Sequence, residues 1–246
     1  MTAPTPPRRT AAHGQTSTHT PLETAARGAT HPSDPEHSSH ASRPSHHHAT
    51  PGKEEIALLD AFERLGMDSI TLVRTPEQAD RARDALCKAT AWGFDTESKP
   101  TFVQGEASDG PHIVQLATLD HAWVFQLQDA GCRARVAELL ALRGVTKAGF
   151  GLGDDTKRIK AKLGVEPADV LELNTVFRQR GYRMDMGVKA AVAVLFNRRF
   201  LKSKKAATSN WANDRLTEAQ VLYAANDAWA ALRVFHALQV PAAPAA

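Results

Sequence analysis

The chain of 246 residues has only two cysteines, Cys87 and Cys132. Two thiols exclude a disulfide scaffold and any cysteine-based zinc cluster, and both are read as reduced, inert core thiols. Long hydrophobic runs are missing as well. No stretch approaches the roughly 18 apolar residues that a membrane helix needs. The N-terminus also lacks the hydrophobic segment of a secretory signal, so a cytoplasmic location is expected. A large charge imbalance is absent too: the formal net charge is +3, so the molecule as a whole is not a polycation.

The averages conceal a division. Residues 1–52 hold Met1 and Leu22 but no other large aliphatic side chain and no aromatic one, while carrying 8 of the 14 prolines and 8 of the 11 histidines. Such a segment cannot bury enough apolar surface to offset its ordering entropy, and it is expected to be disordered. His46, His47 and His48 form a short tract with a weak capacity for transition metals, set against a plainly solvated polar tail. A domain is expected over residues 53–240, with a short Pro- and Ala-rich tail at 241–246. The Ala-, Arg- and Pro-rich composition suggests a GC-rich bacterial source.

Local patterns give the element order. Ser69–Val73 reads as a strand, and Pro76 opens a helix running to about Lys88. Trp92–Glu97 alternates as a strand, and His112–Thr118 with Ala122–Leu127 forms a hairpin. A helix around Val136–Leu140 ends before Gly144, and a strand at Thr146–Phe150 feeds a helix starting near Asp154. Helices near Met186–Phe196 and over Thr217–Leu238 close the domain. This order predicts an α/β fold with a mixed sheet flanked by helices.

Acids occupy three places in that order. Strand alternation puts Gly93, Asp95 and Glu97 on one face and Trp92, Phe94 and Thr96 on the other. Two carboxylates two residues apart lie roughly 7 Å apart along the backbone and can converge on one point. A solvated edge strand is the alternative. In the last helix, Val221, Ala225, Ala228, Leu232 and Phe235 form an apolar stripe, while Tyr223 and Asp227 share a nearly opposite, charge-poor face. Asp227 therefore sits mid-helix in a helix apolar almost all round, and it needs a metal ion, or an ion pair with a residue such as Arg233, or solvent. In KAGFGLGDD (147–155) a Gly-rich turn precedes Asp154 and Asp155. The helix dipole accounts for one of these acids, assigned to Asp154. Gly149, Gly151 and Gly153 lack the GxGxxG spacing and no Gly-Lys-Ser/Thr follows, so no nucleotide cofactor is expected. An all-oxygen set of four acids and one tyrosine suits magnesium or manganese, as a pair of ions about 4 Å apart.

GFDTES (93–98), KAGFGLGDDTKRI (147–159), SNWANDRLTEAQ (209–220) and LYAANDA (222–228) together resemble, in order and spacing, the ribonuclease D-type branch of the DEDD 3′–5′ exonucleases, which includes the Werner-syndrome helicase exonuclease domain. The resemblance covers residues 66–238. It implies a ribonuclease H-like mixed five-stranded sheet, three strands antiparallel and two parallel, with helices on both faces. It further implies that Asp95, Glu97, Asp155 and Asp227 hold two Mg2+ or Mn2+ ions, Asp95 bridging both, Glu97 and Asp227 on the first and Asp155 on the second. Tyr223 would mark the DEDDy subclass and orient the attacking water. The partner would be a DNA or RNA 3′ end, cleaved to nucleoside 5′-monophosphates; a binding module with the fold but little catalysis is the alternative. Ser98-Lys99-Pro100 looks closer to the Werner type, and no helicase-and-RNase-D C-terminal domain is read after Leu238.

Between Arg178 and Arg215 there are ten Lys or Arg residues against two acids, a footprint for a phosphate backbone or simply a solvated face. Within it Lys202, Lys204, Lys205, Ser209, Asn210 and Trp211 are candidate substrate contacts. Trp211 would stack on a base or serve as a core anchor. Thr96 and Phe150, flanking the acids, would touch the terminal nucleotide or only pack.

Overall fold

The computed structural model describes residues 48–101 and 109–242. The expected N-terminal tail lies outside the described residues as far as position 47, and the C-terminal tail from position 243. Six strands form one sheet in the order β1-β4-β3-β2-β5-β6. They are β1 (Ile70–Val73), β2 (Ala91–Glu97), β3 (Ile113–Ala117), β4 (Ala122–Gln126), β5 (Thr146–Gly149) and β6 (Val170–Glu172). β2, β3 and β4 pair antiparallel, and β5 and β6 continue parallel to β2. These five match the expected arrangement. The count is nonetheless six, because β1 adds in parallel to β4 at the opposite edge. β6 escaped the sequence pattern because three half-buried residues are too few to show an alternation.

Among the described residues eight α-helices accompany the sheet: α1 (Lys53–Leu58), α2 (Pro76–Leu86), α3 (Ala130–Ala141), α4 (Leu152–Leu163), α5 (Leu173–Gln179), α6 (Val188–Phe196), α7 (Lys204–Ala207) and α8 (Glu218–Ala237). α2, α3 and α4 bury Leu86, Val136, Leu139 and Ile159 against Trp92, Phe94, Leu116 and Phe125 on one face of the sheet. α5, α6 and α8 bury Phe177, Val192, Ala225 and Ala228 against Ile113, Ala117 and Val124 on the other. Helices therefore lie on both faces. β2 is central and covered on each side, which removes the solvated-edge alternative for its acids.

α8 has the chemistry of a buried helix. Thr217 caps it and Gln220 completes a capping box, so the chain enters the core with its first backbone donors satisfied. Most of its 20 residues are buried, as expected of a helix apolar nearly all round. Gly93 allows its close approach: a Cβ there would stand 1.9 Å from the carbonyl oxygen of Ala228. Buried Asn226 anchors the segment before β1, with Oδ1 accepting from Leu65 N at 2.8 Å and Nδ2 donating to Leu65 O at 3.2 Å. His48, at the start of the described residues, stacks on Tyr182 with ring centres 5.1 Å apart.

One thiol differs from expectation. Cys132 is buried, and burial pushes its thiol up to about 11, but Cys87 caps α2 and is exposed. The end of α2 turns it outward.

Candidate active site

β2 delivers two acids along its α8-facing side, Asp95 and Glu97, beyond the point where Gly93 admits the helix. α8 supplies the third, because Asp227 immediately precedes Ala228, whose carbonyl meets Gly93. One carboxylate oxygen from each of Asp95, Glu97 and Asp227 lies within 4.8 Å of the others. Asp155 stands outside that trio, near the start of α4. It accepts a hydrogen bond from Thr96 Oγ1 at 2.5 Å. Its neighbour Asp154, exposed in the first turn of α4, pairs with Lys157 at 3.0 Å.

The cluster is electrostatically strained without a cation. Burial, then the charges of Asp227 and Asp155, push the Asp95 carboxyl well above its usual range. Burial, then Asp95 and Asp227, push Glu97 up to about 9. Burial raises Asp227 too, although the Lys202 ammonium opposes it from 2.5 Å. Among the described residues neither Asp227 oxygen meets a hydrogen-bond donor in good geometry, and Lys202 is its counter-ion. Arg233, the partner considered from sequence, instead pairs with Glu63 at 3.0 Å and lies 4.9 Å from the Trp229 ring centre. Buried Asp227, beside the half-buried Asp95 and Glu97, completes a set of hard oxygen donors that fits a divalent cation favouring oxygen ligands. Burial and the Asp227 charge also raise the Tyr223 phenol, which stays protonated at neutral pH.

The substrate candidates separate on inspection. Lys202 sits at the acid cluster, its ammonium 5.0 Å from the centre of the Tyr223 ring. Phe150 lines the cleft beside Asp95 and Asp227. Lys204 and Lys205 are exposed on α7, and Asn210 is exposed while its Oδ1 accepts from Ala212 N at 3.0 Å. Ser209 donates to Ala206 O at 2.6 Å and accepts from Gln220 at 3.0 Å, which are loop-holding contacts. Trp211 is fully buried, with its ring centre 5.9 Å from that of Tyr223. It anchors the core and has no ring face open to a base. Thr96 is also buried and spends its hydroxyl on Asp155 rather than on a free surface.

One role and one contributor went unseen in the sequence. Lys202 was placed in a groove rather than on Asp227, since 25 positions separate them. Gln115 pairs across the sheet with Asp95 and is fully buried, with both side-chain polar atoms unpartnered among the described residues. A polar residue inside the apolar run of β3 was the available signal.

Residues 70–241 match the model of a family described as 3′-5′ exonuclease. Over 148 residues the chain is 28% identical to the bifunctional 3′-5′ exonuclease/ATP-dependent helicase of Mus musculus, covering 59% of this chain and 11% of that protein. The chain thus spans about a tenth of the length of that relative. The Aedes aegypti Nibbler EXO domain is similar in structure, with a TM-score of 0.62 at 22% identity over 72% of this chain and 90% of its own. So is a Trypanosoma brucei ribonuclease D solved with the RNA U12, at a TM-score of 0.61 and 21% identity over 69% of this chain and 62% of its own.

Proposed function

The chain belongs to the 3′-5′ exonuclease family, and from that premise we propose that it hydrolyses the terminal phosphodiester bond at the 3′ end of DNA or RNA, releasing nucleoside 5′-monophosphates. The observation that carries this reading is the meeting of Asp95, Glu97 and Asp227 within 4.8 Å, beneath a helix apolar on nearly every side. Asp95, Glu97, Asp227 and, from its Thr96-held position, Asp155 would hold two Mg2+ or Mn2+ ions. Bound there, such ions would supply Lewis-acid activation of water and neutralise charge on the leaving 3′ oxygen.

The protein's own residues do the positioning. Tyr223, protonated through the neutral range, orients a water by hydrogen bonding and, because it keeps its proton, does not serve as the general base. The Lys202 ammonium, held beside Asp227, is placed to meet a phosphate oxygen entering the cleft. The cleft has a volume of about 370 Å³, and Phe150 on its wall gives a flat surface for a terminal base or sugar. The ribonuclease D complex with RNA supports a polynucleotide substrate for this fold.

The test uses matched 3′- and 5′-labelled DNA and RNA oligonucleotides with magnesium, manganese or EDTA, beside an Asp95→Ala/Asp227→Ala variant. The expected result is a ladder shortening from the 3′ end that EDTA and the double substitution both abolish. No cleavage of either polymer with either metal, with salt-sensitive binding retained, would instead favour a binding module on this fold.

A further inference from the structure

Beside the acid cleft lies a second, larger depression of about 1010 Å³. Lys53, Lys189, Arg199, Lys202 and Lys204 line it, and no aspartate or glutamate does among the described residues. Arg199 is committed: its guanidinium donates to Ala57 O at 2.6 Å and ties α1 to the wall. Lys53, Lys189 and Lys204 are exposed, and no acid pairs with them among the described residues. Between the cations, Ile56, Val188 and the exposed Leu201 make an apolar floor.

The two depressions adjoin, with Gly187, Val188 and Lys202 lining both. One wall of the groove, Pro51 to Ala57, precedes position 70, where the family match begins. It lies outside the residues that match the family.

We propose that this groove holds the single-stranded stretch of polynucleotide upstream of the 3′ end, with α1 as its outer wall. Charge complementarity selects the occupant: uncommitted ammonium groups on the rim take backbone phosphates, and unpaired bases cover the apolar floor. A duplex keeps its base faces stacked inside and cannot use that floor. The direction of the strand rests on the exonuclease reading, since the end being cut lies at Asp95 and Asp227. The groove therefore makes the enzyme prefer substrates long enough to reach α1 over very short ones.

The experiment uses the full chain and a Lys53→Glu/Lys204→Glu variant, with the milder Lys53→Gln/Lys204→Gln should the first fail to fold. The ratio of kcat/KM for a single strand of about twelve nucleotides to that for a dinucleotide is expected to fall about tenfold or more. Binding of the same fluorescent strand in EDTA should weaken in parallel, and the slope of log K against log salt should drop by about 1.4 for two lost phosphate contacts. An unchanged ratio with unchanged metal-free binding overturns the groove, and so does equal binding of a blunt duplex. If the wild-type chain binds the strand and the variant does not, yet neither cuts any substrate, the groove stands and the exonuclease reading falls.

Discussion

Thr96 shows how the structure gives a role to a side chain that the sequence only places beside the site. Its place between Asp95 and Glu97 left nucleotide contact and simple packing both open, and its hydroxyl donates to Asp155 at 2.5 Å. A hydrogen bond to a charged group contributes roughly 1.5–3 kcal/mol, and groups that orient metal ligands typically change metal affinity by about 10–100-fold. Thr96→Val keeps the shape and removes the donor. The expected outcome is about a tenfold higher Mg2+ concentration for half-maximal hydrolysis, with little change in melting temperature. A magnesium titration of activity, beside a thermal melt, measures both. Lys202 belongs to the same scale. Its ammonium partly offsets three buried acids, and no local pattern announces a partner 25 positions away.

At the scale of elements, the site depends on the contact between β2 and α8. Gly93 is the point of closest approach, because a Cβ there would stand 1.9 Å from a backbone carbonyl, which cannot rotate away. Gly93→Ala should push α8 off the sheet, separate Asp227 from Asp95 and destabilise the fold by about 3 kcal/mol or more, in the range of overpacked cores. Chemical denaturation reads the stability loss, and residual nuclease activity reads the displacement. A fully active, equally stable Gly93→Ala protein would show that the helix does not need this approach.

At the scale of the whole molecule, the fold concentrates negative charge where it is least solvated, and pH should reveal this. Glu97 is raised to about 9, and Asp95 and Asp227 are raised in the same direction. The folded protein thus holds protons that the unfolded chain releases near pH 4.5. The stability tied to those protons is present below that pH and is lost as pH climbs toward 9. A divalent cation competes with the same protons and stabilises the folded state by mass action. Metal-free protein should therefore melt at a lower temperature at pH 8.5 than at pH 6, and the rise in melting temperature on adding Mn2+ should be larger at pH 8.5. Asp95→Asn should flatten the pH trend of the metal-free protein and remove most of the Mn2+ shift. An Mn2+ shift that is independent of pH would contradict the shared, proton-laden cluster.

The sequence alone determined the acids and most of the elements, because periodicity and residue type are local, while the short α1, β6, α5 and α7 escaped it. Alternation along β2 separated Asp95 and Glu97 from Trp92 and Phe94, and the apolar girdle of α8 marked Asp227 as a buried carboxylate. The motif blocks supplied the order of the acids and the family. Contacts between distant segments had no local signature, so only the tertiary structure decided them. It placed Lys202 on Asp227, buried Trp211, turned Thr96 toward Asp155 and set α1 against the α6–α7 segment as a groove wall. The reason is physical: a strand or helix announces itself by repetition along the chain, whereas a counter-ion or a wall is chosen by whatever packing brings close.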